Sequence, residues 1–242
     1  MNPNVAHEPI IKIENLYKKY GDNVVLDGFN LNLYQGENLV IMGKSGSGKS
    51  VMIKCLIGLE IPDSGTIEIM SQKLEHLSLK ALDEIRADIG FLFQGSALYD
   101  SMTVRENLEF PLRRHISKFG NVKDTLPLVE EALENVGLKN VIDLMPNELS
   151  GGMKRRVALA RTLILKPKII IYDEPTTGLD PITSKEIILL MKSVQEKYKT
   201  SSIIITHDVD CARVIANRMI LLIDGKNYAE GTFAELSTSQ DP

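Results

Sequence analysis

The octapeptide GKSGSGKS, residues 43–50, lies between the short apolar run NLVIM and the stretch SVMIKCLIGL, in which apolar residues recur at helical spacing. It fits G-x-x-x-x-G-K-[ST], and the strand before it and helix after it are the context that gives the pattern meaning. Strand, glycine loop and helix in this order mark an α/β fold. The glycines let successive backbone N–H groups curl around the α- and β-phosphates of a nucleotide. Lys49 then reaches the β- and γ-phosphates, and the Ser50 hydroxyl is a ligand for Mg²⁺. The bland alternative is a Gly/Ser turn that arose by chance.

A phosphate loop fixes a nucleotide and not an activity, because unrelated enzymes share it. The sequence IIIYDE, residues 169–174, narrows the choice. An apolar strand ending in Asp173 and Glu174 delivers two carboxylates to the carboxyl edge of the sheet, where open α/β folds bind ligands. There Asp173 would hold Mg²⁺ through water, and Glu174 would orient and polarise an attacking water. The bland reading is of two acids that end a strand before Pro175. A third stretch, LSGGMKRRVALART at 149–162, contains no catalytic group, yet it opens a basic amphipathic helix with two glycines. Glycines weaken a helix start unless bare backbone is wanted there, and exposed N–H groups at a helix N-terminus suit an anion.

The 242-residue sequence, 43% hydrophobic with a net charge of −4, is that of an ordinary globular protein with enough apolar material for a substantial core. Its basic residues are spread along the chain and leave no electrostatic footprint for nucleic acid, so DNA and RNA are not expected as partners. Cys55 and Cys211 sit in neither metal nor redox spacing and read as reduced packing residues of a cytosolic protein. The start, MNPNVAHEPI, lacks a basic segment followed by an apolar one, and no run approaches the roughly 18 apolar residues of a membrane span. The expectation is a chain neither exported nor inserted in a membrane by itself.

Along the chain, segments 10–16 and 26–33 alternate as half-buried strands around a Tyr-Gly-Asp-Asn turn, an antiparallel start. Strands follow at 38–43, 65–70 and 89–94, with helical spacing in LKALDEI. From about 95 to 165 the pattern is helical, in TVRENLEFPLRR, LPLVEEALENVG and GGMKRRVALARTLIL. Strands and helices then alternate again: KIIIYDE, a helix over 182–198, SSIIITH, a helix near 209–217, and the pair MILLIDG and KNYAEGT. The triplets of isoleucine at 169–171 and 203–205 suit a sheet covered on both faces. The tail STSQDP is expected to fray.

In this order the motifs resemble those of the ATP-binding cassette (ABC) ATPases, over nearly the whole chain from Tyr20 to about Gly231. Lys49 and Ser50 match the Walker A motif, Gln94 the Q-loop, LSGGM (149–153) the signature, Asp173 and Glu174 the Walker B motif, Gly178-Leu179-Asp180 the D-loop, and His207 the switch histidine. The fold this implies is α/β, a RecA-like P-loop NTPase core carrying an antiparallel β subdomain and a helical insertion subdomain. A single ABC domain over 10–242 is expected, with its core at about 10–94 and 166–242 and its helical subdomain at about 95–165, behind an N-terminal tail of residues 1–9.

The resemblance also implies roles. Tyr20 would stack on adenine, while Gly43, Lys44, Ser45, Gly46, Ser47, Gly48, Lys49, Ser50 and Val51 surround the nucleotide. Ser50, Gln94 and Asp173 would serve Mg²⁺, Gln94 also touching the attacking water and linking core to insertion. Glu174, His207 and Lys49 would be catalytic, His207 at the γ-phosphate. In the family, two subunits meet head to tail, so that Ser150, Gly151 and Gly152 of one close over the γ-phosphate held by the other. Closure then depends on ATP, because the phosphates supply much of the attraction between the halves. Asp180 would position that interface, although an acid before Pro181 also suits a helix N-cap. Tyr20 could instead be a core residue at a strand end. Met153 stands where the commonest signature has Gln, so any hydrogen bond from that side chain to the ribose is lost.

The wording around the motifs, including FLFQGSALYDSMTVRENLEFPLR and IIIYDEPTTGLDPI, is similar to the cassettes of Mla-type (maintenance of lipid asymmetry) transporters. These work with permease dimers and lipid-binding MCE-domain proteins to move phospholipids between bacterial membranes. The implied protein is a homodimeric ATPase, with ATP and Mg²⁺, at the cytoplasmic face of the inner membrane. Its implied partners are integral membrane permease subunits and an MCE-domain or other lipid-binding protein. An importer cassette for amino acids or other small solutes is the alternative, residues 95–115 carrying the distinction. A soluble ABC protein acting on DNA or ribosomes would need a long coiled-coil insertion or a second cassette, and this chain has neither.

Overall fold

Alternation of apolar and polar residues at the start of the chain produces two long antiparallel strands, β1 (Ile11–Tyr20) and β2 (Asn23–Leu33). In the computed structural model, which describes residues 8–115 and 124–238, both strands run further than the alternation alone indicates, meeting at a tight turn over Gly21 and Asp22. The expected tail over 1–9 lies outside the described residues as far as residue 7. The chain divides into two compact units, Met1–Arg86 with Ser201–Pro242, and Ala87–Thr200.

In the first unit, β2 and β1 continue through β4 (Ser64–Ile69) to β5 (Gln72–Lys73) as a four-stranded antiparallel sheet. Its inward face is Ile11, Ile13, Leu16, Leu26, Phe29, Leu31, Leu33, Ile67 and Ile69, all buried. A second set of strands contains β3 (Asn38–Met42), parallel to both β8 (Ser201–Ile205) and β9 (Arg218–Ile223), with β10 (Lys226–Gly231) returning antiparallel beside β9. All five residues of β8 are buried, as are Leu39, Val40 and Ile41 of β3. Continuous burial is what a parallel strand covered on both faces requires. The helices of this unit are α1 (Lys49–Leu56), α2 (Leu79–Ala87), α7 (Val209–Ile215) and α8 (Phe233–Thr238).

Polar contacts lock the two sets of strands together within this unit. Asn30 N–H donates to Asn227 Oδ1 at 2.9 Å, and Asn227 Nδ2 returns a bond to the Asn30 carbonyl at 2.7 Å. The guanidinium of Arg218 bonds Glu37, Glu230 and the Asn32 carbonyl. Helix α8 includes Ser237 and Thr238, so these first two residues of the tail STSQDP are helical and not frayed. Thr232 and Glu235 form reciprocal side-chain to backbone bonds of 2.7 and 3.3 Å, and the hydroxyls of Ser237 and Thr238 bond back to Ala234. The pattern T-x-x-E is a helix-start signal. Residues 239–242 lie outside the described residues.

The second unit pairs β6 (Ile89–Leu92) in parallel with β7 (Ile169–Asp173) and contains α3 (Val104–Arg114), α4 (Leu126–Asn135), α5 (Gly151–Leu163) and α6 (Pro181–Tyr198), of which α5 packs on β6 and the other three pack on α5. Thr103 opens α3 with a capping box to Glu106, at 3.2 and 2.8 Å. Asn107, fully buried, accepts from Tyr99 N–H and donates to the carbonyls of Tyr99, Met102 and Thr103, which fastens the preceding loop to the helix. Two residues on, buried Glu109 collects Arg105 at 2.7 Å, Arg113 at 2.6 Å and the Thr125 hydroxyl at 2.7 Å.

Burial works to raise the pKa of Glu109, but the bonds from Arg105, Arg113 and Thr125 outweigh it and hold the carboxyl down at about 2, against an ordinary 4.5. A carboxyl held below its unfolded value stabilises the fold above that unfolded value and loses this contribution as pH falls toward the folded one. The stability advantage of the natural protein over Glu109→Gln is therefore expected to be full at neutral pH and to shrink as pH falls from about 4.5 toward 2. Urea melts at several pH values, followed by circular dichroism, measure it; an advantage that grew on acidification would contradict the assignment.

Candidate functional site

Two pairs of parallel strands set the positions of the functional side chains, one pair in each unit. In the first unit Ile41 of β3 pairs with Ile205 of β8. Gly43 and His207 therefore stand at equivalent positions, two residues past that pair at the carboxyl edge. In the second unit Leu92 of β6 pairs with Tyr172 of β7. Gln94 and Glu174 again follow two residues past the pair, and Asp173 ends β7. Each unit thus presents polar groups at the carboxyl ends of its parallel strands, where ligands of open α/β sheets bind.

The phosphate loop leads into α1 through Gly48, whose φ of 105° lies in the left-handed region. A Cβ there would come 2.7 Å from the Val25 carbonyl and 2.9 Å from the Leu26 side chain. Only glycine meets both demands. No side chain caps the start of α1, and a helix N-terminus of this kind suits an anion. The ammonium of Lys49 folds back over the loop and donates to the carbonyls of Gly43 at 2.6 Å and Lys44 at 2.8 Å. Lys44, Ser45, Gly46 and Ser50 are exposed along the loop, while Ser47 is buried. Val51 falls within the first turn of α1.

His207 is exposed just beyond β8, and its neighbours are fixed. Thr206 N–H bonds the Ile41 carbonyl at 3.4 Å, and Asp208 N–H bonds the Thr206 hydroxyl at 3.0 Å. The Asp208 carboxylate caps α7, accepting from Asp210 and Cys211. Tyr20 ends β1 with 45% of its surface exposed, which removes the core alternative, and the Lys18 ammonium lies over its ring at 5.3 Å from the centroid.

In the second unit, Glu174 adopts φ 49°, a left-handed backbone that costs a non-glycine residue about 1–3 kcal/mol and that recurs at functional sites. Its carboxylate accepts from the Thr177 hydroxyl at 3.1 Å. Gln94 is exposed, in a loop that turns sharply through Ser96 (φ 64°) and Ala97 (φ 49°). Arg161 of α5 holds that loop, donating to the Ser96 carbonyl at 3.0 Å and to Asn107 Oδ1 at 3.3 Å.

Ser150 is the N-cap of α5, its hydroxyl accepting from Met153 N–H at 3.2 Å. Gly152 is needed for packing as well as for bare backbone, because a Cβ there would lie 2.7 Å from Thr183 Cγ2. Gly151 is exposed at the helix start. Asp180 caps α6, accepting from the N–H groups of Ile182 and Thr183 at 3.0 Å each. The Thr183 hydroxyl and these backbone bonds hold its carboxyl below the usual range. The capping role foreseen for Asp180 is thus present in the single chain.

No group of three or more His, Cys, Asp or Glu side chains among the described residues could hold a metal ion. Oxygen donors of the kind Mg²⁺ takes are offered by Ser50 in the first unit and, separately, by Gln94 and Asp173 in the second. No helix among the described residues is long and apolar enough to cross a membrane.

The profile of the ABC transporter family matches residues 26–177. The chain is 40% identical, over 97% of its length and 88% of the relative's, to the intermembrane phospholipid transport system ATP-binding protein MlaF of Haemophilus influenzae. It is 37% identical, over 94% of its length and 72% of the relative's, to the methionine import ATP-binding protein MetN of Campylobacter jejuni. Among solved structures it is similar to the ATP-binding cassette MJ0796 in a dimeric post-hydrolysis state with ADP and Pi, with a TM-score of 0.82 at 36% identity over 92% of this chain and 98% of that one. It also matches cbiO1 of Clostridium perfringens, part of the transporter complex cbiONQ, with a TM-score of 0.85 at 30% identity over 96% and 92%.

Replacing Gly48 by alanine is expected to lower stability by about 1–3 kcal/mol and to weaken nucleotide binding, because the loop must reshape to relieve the clash. Thermal melts and the anisotropy of a fluorescent ATP analogue measure the two effects; unchanged affinity would remove this loop as the phosphate cradle.

Proposed function

Because the chain belongs to the ABC transporter family, we propose that it is the ATP-hydrolysing subunit of a transporter that moves phospholipid between bacterial membranes. The observation that carries the lipid substrate is its similarity to the Haemophilus phospholipid-transport cassette. The nearly equal similarity to methionine-import cassettes favours the second reading, a cassette for small solutes. Both readings share one ATPase mechanism, and the substrate is chosen by other subunits.

In this mechanism the loop amides of residues 43–50 and the Lys49 ammonium neutralise the phosphates of ATP, while Tyr20 stacks on the adenine. For the ammonium, binding exchanges the loop carbonyls of Gly43 and Lys44 for phosphate oxygens. Ser50, Gln94 and Asp173 would hold Mg²⁺, which when bound offsets charge on the phosphates. Glu174 orients the attacking water and accepts its proton, with the bond from Thr177 fixing the carboxylate. His207 contacts the γ-phosphate from its place beside the loop on the neighbouring strand.

Two such subunits close head to tail, and the dimeric cassette solved with ADP and Pi supports this reading. Ser150, Gly151 and Gly152 then address the γ-phosphate held by the partner subunit, with Asp180 at the interface. At a helix N-terminus these groups suit an anion. Closure drives an integral membrane permease at the cytoplasmic face of the inner membrane, and an MCE-domain or other lipid-binding protein completes the assembly.

Glu174→Gln is expected to keep ATP affinity, to lower turnover roughly 100-fold or more as general-base removal does, and to accumulate an ATP-dependent dimer. Phosphate release and light scattering after size exclusion measure these effects; turnover at the natural rate would remove Glu174 as the base. Affinity purification from detergent-solubilised membranes of the source organism, read by mass spectrometry, is expected to recover a permease with an MCE-domain protein. A permease with a small-solute binding protein would replace the lipid reading by the second one.

A further inference from the structure

Arg155, one helical turn into α5, is 3% exposed. Among the described residues no carboxylate pairs with it, and its Nε is buried without a partner. Burial pushes its guanidinium below the ordinary arginine range. A buried cation of this kind is expensive, and an apolar residue of similar volume would fill the same space without that penalty. Its Nη atoms bond the backbone of two separate loops. Nη1 donates to the Phe93 carbonyl at 2.8 Å, and Nη2 donates to the Thr177 carbonyl at 3.3 Å.

These carbonyls stand at informative places. Phe93 immediately precedes Gln94, and Thr177 immediately precedes Gly178-Leu179-Asp180 while its hydroxyl holds Glu174. Arg161, from the same helix, fixes the other end of the Gln94 loop at Ser96. The planar fork of a guanidinium can address two carbonyls with a fixed angle between them, which a single ammonium nitrogen cannot reproduce.

We propose that Arg155 is a positioning residue that ties the Gln94 loop to the Thr177–Asp180 loop, so that the two loops take up their working positions as one body with the helix that begins at Ser150. This rests on the reading above in which Gln94 and Glu174 serve ATP hydrolysis. A displacement of either loop is transmitted through one guanidinium to the other, and no ligand contact by Arg155 is involved.

The test uses the full chain carrying Arg155→Lys, which keeps charge and stem, with Arg155→Met as a second variant that removes every donor. Without nucleotide, hydrogen exchange of the amides at 94–97 and 178–180 is expected to rise together by roughly tenfold in Arg155→Lys, as local opening becomes easier. Exchange that rises at one loop alone, or at neither, overturns the proposal. Turnover is expected to fall roughly 10- to 100-fold with KM for ATP within about twofold, the split expected when positioning and not binding is lost. An effect on KM alone, or a uniform rise of exchange through all of α5 in both variants, would make Arg155 a fold residue and overturn the proposal. Gln94→Ala, measured beside them, separates the two readings. If its turnover equals that of the natural protein, the assignment of Gln94 fails; if its turnover falls while the exchange of the two loops in Arg155→Lys stays uncoupled, the link through Arg155 fails.

Discussion

Parallel pairing between strands ends both partners at the same edge, and this constraint governs everything at the candidate site. Ile41 against Ile205 and Leu92 against Tyr172 are apolar pairs inside the sheet, yet they decide where Gly43, His207, Gln94 and Glu174 emerge. A slip of one residue would turn every buried isoleucine of β8 to the opposite face. Packing of these strands, each buried Ile contributing about 1.5–3 kcal/mol, thereby sets the register of the chemistry.

Irregular backbone must leave the sheet edge to reach a ligand, and its carbonyls then lack ladder partners. Side chains from helices supply those partners. Asn107 closes the loop before α3, Arg161 holds Ser96, and Lys49 occupies the carbonyls of its own loop. Each is a polar side chain meeting backbone, so each holds a loop without holding it permanently. The Lys49 bonds differ from the others in that, in the proposed mechanism, phosphate oxygens replace them.

Much of this was legible in the sequence where spacing and context reinforce one another. The loop at 43–50 was readable because a strand precedes it and a helix follows, and the Ile triplets because only a covered strand tolerates such runs. Asp180 before Pro181 carried its capping role openly. What stayed hidden depended on burial. Arg155 lies in a stretch that reads as a basic, solvated helix face, and no periodicity distinguishes it from exposed Lys and Arg nearby; its burial is set by loops more than 20 residues away in sequence. β5, two residues at a sheet edge, is too short for any pattern. The left-handed backbone of Glu174 is likewise dictated by its surroundings, since nothing in the residue type favours it.

The hydroxyl of Ser150 has an unequal pair of capacities. Its oxygen accepts from Met153 N–H and so closes the start of α5, while its proton remains available to donate outward. Aspartate, as good a helix cap as serine, would preserve the helix but bring a negative charge and no donor to the place that faces phosphate in the proposed dimer. The residues compatible with folding here and those compatible with the proposed dimer are therefore two different sets, and serine lies where they overlap. In that proposed dimer, a chain carrying aspartate at this position would fold and still occupy its partner, so that a defect of one subunit would reach the site it shares with the other.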